Sequence, residues 1–148
     1  MTFRTIALSA FAAVALSAGS AFVPFDGASI FVTEAAANET IASGSWTKKS
    51  FKVSGTWSIY TENGTTYVAL SDDFKTRKAP DLKIFLSTYS ASDANGKNAT
   101  QGSVLISPLS SHKGGQVYEI PAEINVSDYT SILIHCEAYS KLWSAADL

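Results

Sequence analysis

Apolar and polar residues alternate most regularly in "FKVSGTWSIYT", where Phe51, Val53, Gly55, Trp57 and Ile59 are separated by Lys52, Ser54, Thr56 and Ser58. A period of two is that of a strand with one buried face. Asn63-Gly64 follows, the dipeptide best suited to the two left-handed positions of a tight hairpin turn. "TYVALS" then returns as the partner strand. The polar loop "DDFKTRKAPD" contains Pro80, which lacks the N–H that a central strand uses. It leads to another strand, "LKIFLST". The long segment "SASDANGKNATQGS" is rich in turn-forming residues and reads as a polar loop. "VLISPL", "GQVYEI" and "SILIHC" are further short strands, separated by "SSHKGG" and "PAEINVSDY". In the closing "EAYSKLWSAADL", Tyr139, Leu142 and Trp143 stand at helical spacing, which predicts a short helical turn. About six to eight short strands with turn signals between them predict an all-β fold, an antiparallel β-sandwich or small barrel. No repeat, heptad or Gly-rich phosphate loop interrupts this pattern.

The N-terminal part is patterned differently. Arg4 precedes an apolar, alanine-rich run from Ile6 to Ala18, and Gly19-Ser20-Ala21 supplies the small residues that signal peptidase reads. A spanning helix needs about 20 apolar residues, and Ser9, Ser17, Gly19 and Ser20 interrupt this one. Residues 1–21 therefore read as a cleaved secretory signal, with an uncleaved anchor as the alternative. The expected location is periplasmic or extracellular, with no stable membrane span after cleavage. Residues 22–43 hold no period and read as a linker or loosely docked arm, with a short strand at Ile30-Phe31-Val32. The compact domain is expected over residues 44–148. Asn38, Asn63, Asn98 and Asn125 open Asn-X-Ser/Thr triplets, which accept glycans in a eukaryotic secretory pathway.

Composition narrows the chemistry. Charged residues make up 16% of the 148 and hydrophobic ones 46%, enough for one packed core and too few charges for extended disorder. The net charge is -2, and the basic runs stop at Lys48-Lys49 and Lys75/Arg77/Lys78. Nucleic acid is thus not an expected partner, and these runs read as solvated strand ends or loops. There is no Gly-X-Ser-X-Gly elbow, so a classical hydrolase or transferase is the least supported class. Asp72-Asp73 and Asp81 flank a turn, where carboxylates either cap the backbone or bind a cation. Trp46, Trp57 and Trp143 fit core or edge packing; exposed on a sandwich they would fit a glycan platform.

Cys136 is the single cysteine. Along "TSILIHC", Thr130, Ile132, Ile134 and Cys136 share one face of a strand, and Ser131, Leu133 and His135 the other. Cys136 extends an apolar stripe and is expected at the core or its margin, with His135 pointing away. A free cysteine can be simply a small buried hydrophobe. In an exported chain an unpaired one also points to a reactive thiol or to intermolecular pairing. Tyr139 and Trp143 lie close enough in sequence to line a pocket rim beside it, and His112 is the candidate second axial ligand to a haem there, should its loop fold back towards Cys136. Lys141 and His112 are the cations by type that could favour a thiolate.

Gly55-Thr56 in "VSGTWSIY", Asp73-Phe74 in "LSDDF", Pro80-Asp81-Leu82 and Leu86-Ser87 in "APDLKIFLS", Tyr118 to Pro121, Tyr129 to Cys136, and the closing "YSKLWSAADL" follow one another in that order along the chain. On these residues the stretch from Gly44 to Leu148 resembles the DM13 domain family, also called the electron transfer DM13 domain. The resemblance implies a β-rich extracytoplasmic domain with a redox role marked by one cysteine, here Cys136. It implies that this thiol acts bare or holds a prosthetic group such as haem, with Cys136 as the metal ligand and a protein redox partner. Homodimerisation through Cys136 is a lesser expectation. The alternative is a non-catalytic binding module for a protein or glycan, with Cys136 buried and structural.

Overall fold

The computed structural model describes residues 38–148. The expected secretory signal, the expected short strand at Ile30–Val32 and most of the expected arm lie outside the described residues. Nine strands form two antiparallel sheets among the described residues. One sheet holds, in order, β1 (Glu39–Ser45), β3 (Thr56–Glu62), β4 (Thr65–Leu70) and β7 (Gln116–Ile120). The other holds β2 (Thr47–Lys48), β9 (Lys141–Asp147), β8 (Ser131–Cys136), β5 (Leu82–Ser87) and β6 (Ser103–Pro108). The sheets are separate hydrogen-bonded units, so of the two expected architectures the fold is the sandwich. No helix among the described residues is long and apolar enough to cross a membrane.

The first sheet follows its sequence pattern closely. Asn63 and Gly64, both at positive φ (50° and 80°), close the β3–β4 hairpin, with Glu62 opposite Thr65. Trp57 and Ile59 of β3 and Val68 and Leu70 of β4 turn inward. Tyr60 and Tyr67 are cross-strand partners and stack, ring centroids 5.5 Å apart. The alternation starting at Phe51 does not make one long strand. Gly55, at φ 86°, breaks it, and β3 begins at Thr56. Residues 39–43, placed in the arm by sequence, belong to β1 and pair with β3.

The central strands of the second sheet, β5, β8 and β9, are buried on both sides, so their pattern is harder to read. Ile84 and Leu86 of β5 and Ile132, Ile134 and Cys136 of β8 face the inner core. Phe85, Leu133, Leu142 and Ala145 face outward, under Ala91, Ala94 and Ala99 of the long polar loop. That loop is a cover, not a free excursion. The Ser131 hydroxyl donates to the Tyr89 carbonyl at 2.7 Å, and the Ala91 amide donates to Asp147 Oδ1 at 2.6 Å. Gly96 lies so close to the Ser140 carbonyl that a Cβ would collide with it.

The closing segment corrects the helical expectation in part. Glu137–Tyr139 is a short 3-10 turn, stopped by Ser140 in the left-handed region. Leu142 and Trp143 are in strand β9. Ile134 pairs with Ser144 and His135 with Leu142, which leaves Trp143 as an extra residue in a bulge. The bulge puts Trp143 in the inner core while its neighbour Leu142 packs outside. Two buried faces and a bulge erase the period of two and leave an accidental helical spacing.

Candidate functional site

Cys136 ends β8, at 0% exposure. The strand alternates as its sequence predicts: Cys136 belongs to the inner core and His135 to the opposite side, edge-on to Phe85 with ring centroids 6.1 Å apart. Four clefts on the described surface are lined by other residues; Cys136 lines none of them. A haem held by Cys136 needs a slot beside the sulfur, and core side chains fill that space. The residues present do not fit a haem at Cys136.

His135 is 2% exposed, and its Nδ1 has no hydrogen-bond partner. Burial pushes its pKa below the ordinary histidine value, against a weaker upward pull from Glu137 and Asp81. The folded chain therefore refuses a proton that the unfolded chain accepts. Stability is fully present above the unfolded pKa, near 6.5, and falls as pH drops below it. We expect the urea midpoint to fall between about pH 7.5 and about pH 5. His135→Phe should flatten this dependence, and an equal slope in parent and variant would reject it.

Two acidic residues near the corner are already engaged. Lys83 pairs with Asp81 at 3.2 Å and with Glu137 at shorter range, the two ion pairs found among the described residues. Glu137, and then Asp81, hold the Lys83 ammonium above its usual pKa by hydrogen bonding. Asp73 accepts from the Ser71 hydroxyl at 2.6 Å, and Asp72 abuts Gly115, so both serve the turn. Among the described residues no cluster of His, Cys, Asp and Glu is placed to hold a metal ion.

Tyr139 and Trp143 do share a cleft. It measures about 470 Å³ and is lined by Phe51, Arg77, Lys78, Tyr139, Lys141 and Trp143. Phe51 and Trp143 pack ring on ring, with centroids 4.1 Å apart, and the Arg77 guanidinium lies 5.2 Å from the Phe51 centroid. Backbone bonds hold these walls. The Phe51 amide donates to the Trp143 carbonyl at 3.1 Å, and Ser50 donates to Leu142 at 3.1 Å. Thr76 donates to the His112 carbonyl at 2.9 Å, which fixes the segment carrying Arg77 and Lys78. Trp143 is 2% exposed and Tyr139 58%, so aromatic surface runs from core to solvent here.

Lys141 is the cross-strand partner of Cys136, but its side chain lines this cleft on the surface. His112 lines a second cleft of about 290 Å³, with Lys78 to Leu82 and Pro108 to Ser111, and Cys136 is not among its walls. The structure thus gathers Cys136, Tyr139, Lys141 and Trp143 at the β8–β9 corner and places His112 elsewhere. Sequence reading missed Phe51, Arg77 and Lys78. Phe51 read as one face of a strand and the two cations as a solvated run; nothing local ties them to residues some sixty to ninety positions later.

No curated protein and no solved structure matches the chain. A family model described as "Electron transfer DM13" matches residues 46–148, a span that takes in eight of the nine strands, β2 to β9, together with Cys136 and the cleft. The chain belongs to the DM13 family.

Proposed function

We propose that the protein is an exported electron-transfer domain that meets a redox partner at the β8–β9 corner, with Cys136 as its buried redox group. The carrying observation is the passage of aromatic groups from core to surface at that corner. Cys136 and Trp143 share the inner core, Phe51 packs against Trp143 at a 37° tilt, and Tyr139 stands in solvent. Thiol–disulfide exchange and the further oxidation of cysteine require attack at the sulfur itself. An enclosed sulfur is unsuited to that, and to an intermolecular disulfide; in electron exchange along the packed side chains the Cys136 thiol gives one electron to the partner and its S–H proton to water that reaches it when the β8–β9 corner opens, and regains both on reduction. Export is supported by the N-terminal pattern of Arg4, the apolar run and Gly19-Ser20-Ala21.

The enclosed sulfur also favours a second reading, a binding module in which Cys136 is structural. Protein-film voltammetry of the mature domain separates the two. A wave that disappears in Cys136→Ala and slows in Trp143→Phe is the expected result. A wave that survives Cys136→Ala moves the redox group elsewhere, and the absence of any wave leaves the binding module.

A further inference from the structure

We propose that the cleft at the β8–β9 corner is a binding site for a planar aromatic anion. Arg77, Lys78 and Lys141 bring three positive charges to one cleft of a chain whose net charge is -2. All three are exposed, and none makes an ion pair among the described residues. The carboxylates of Asp81 and Glu137 lie close in sequence, yet both are bound to Lys83 and neither lines the cleft. Gathered like charges repel one another and attract a counter-ion.

The walls between the cations are aromatic. Phe51 and Trp143 form a close pair tilted by 37°, Arg77 lies over Phe51, and Tyr139 offers a ring that is mostly in water. An exposed ring beside a close, tilted pair provides a surface for a flat ligand, by offset or edge-on contact. The volume of about 470 Å³ falls within the roughly 300–1,000 Å³ range of small-molecule sites. A small inorganic anion would leave the rings unused, and an uncharged ring would leave the cations unused. The chemistry that uses both is an aromatic ring system bearing carboxylate, sulfonate or phosphate.

This inference does not depend on the electron-transfer reading, because binding is measured without any redox step. The probe is naphthalenedisulfonate, titrated calorimetrically into the mature protein at low salt. Butanedisulfonate carries the charge without the ring, and naphthol the ring without the charge. Saturable one-to-one binding of naphthalenedisulfonate is expected, with each comparison compound weaker by roughly tenfold or more. Tyr139→Ala and Arg77→Gln should each weaken binding by about tenfold, and Lys113→Gln, outside the cleft, should not. Tyr139 and Arg77 are exposed, and a melting curve confirms that each variant folds. The proposal is overturned by absence of saturable binding, by affinity unchanged in both cleft variants, or by butanedisulfonate binding as tightly as the aromatic probe.

Discussion

Gly55→Ala is expected to destabilise the domain by roughly 2–5 kcal/mol, the sum of a left-handed backbone penalty and a forced shift of packed neighbours. Gly55 has φ 86°, and a Cβ added there would meet the backbone nitrogen and Cα of Phe74 at 2.8 Å and the Ser71 hydroxyl at 2.6 Å. These neighbours cannot swing aside. Ser54 and Lys75 exchange backbone hydrogen bonds at 2.9 and 3.2 Å, and the Thr56 amide donates to Ser71 Oγ at 2.8 Å. Phe74 is itself buried in the core. Gly64→Ala is the matched reference: its φ is 80°, but open space surrounds it, so only the conformational part, roughly 1 kcal/mol, applies. Urea unfolding followed by tryptophan fluorescence measures both. A Gly55→Ala loss no larger than that of Gly64→Ala would mean that the contact with Phe74 yields freely. The larger loss is a sizeable share of the roughly 5–15 kcal/mol that holds a domain of this kind together.

Gly55 also shows how far the sequence carried the fold. A glycine inside an alternating run signals a bulge or a close backbone approach, and the close approach is what the structure contains. The alternation itself located Val53, Trp57 and Ile59 in the core, and Asn63-Gly64 located the hairpin. These signals are legible because each depends on a few adjacent residues and one buried face. The second sheet lacks that simplicity. With Leu133 buried beneath the loop, His135 against Phe85, and Ile132 and Ile134 beneath the other sheet, β8 has no exposed face at all. Trp143 adds a bulge, so the last strand reads as helix. The cleft is the least legible feature. Tyr139, Lys141 and Trp143 are close in sequence, but Phe51 reaches them only because residues 49–51 run alongside β9, and Arg77 only because it lies over Phe51.

Cys136→Ser is expected to be more destabilising than Cys136→Ala, although serine is nearer to cysteine in shape. At 0% exposure among Ile132, Ile134 and Leu82, a hydroxyl without a partner costs roughly 1–3 kcal/mol in desolvation. Alanine removes one sulfur atom and leaves a small gap, which costs about 1 kcal/mol or a little more. The order of the two urea midpoints decides the matter: serine above alanine would mean that a polar partner or water reaches this position. The consequence for function is direct, because a redox signal lost in Cys136→Ser could reflect a loosened core, whereas one lost in Cys136→Ala identifies the sulfur. Thiol labelling supplies the complementary limit. If only unfolding of the core exposes the sulfur, a stability of about 5 kcal/mol slows labelling roughly a thousandfold or more relative to the denatured chain. Labelling of the native domain within about tenfold of the denatured rate would instead require a low-energy opening of the β8–β9 corner. The thiol would then be an accessible reagent, and its chemistry would no longer be confined to electron exchange through packed side chains.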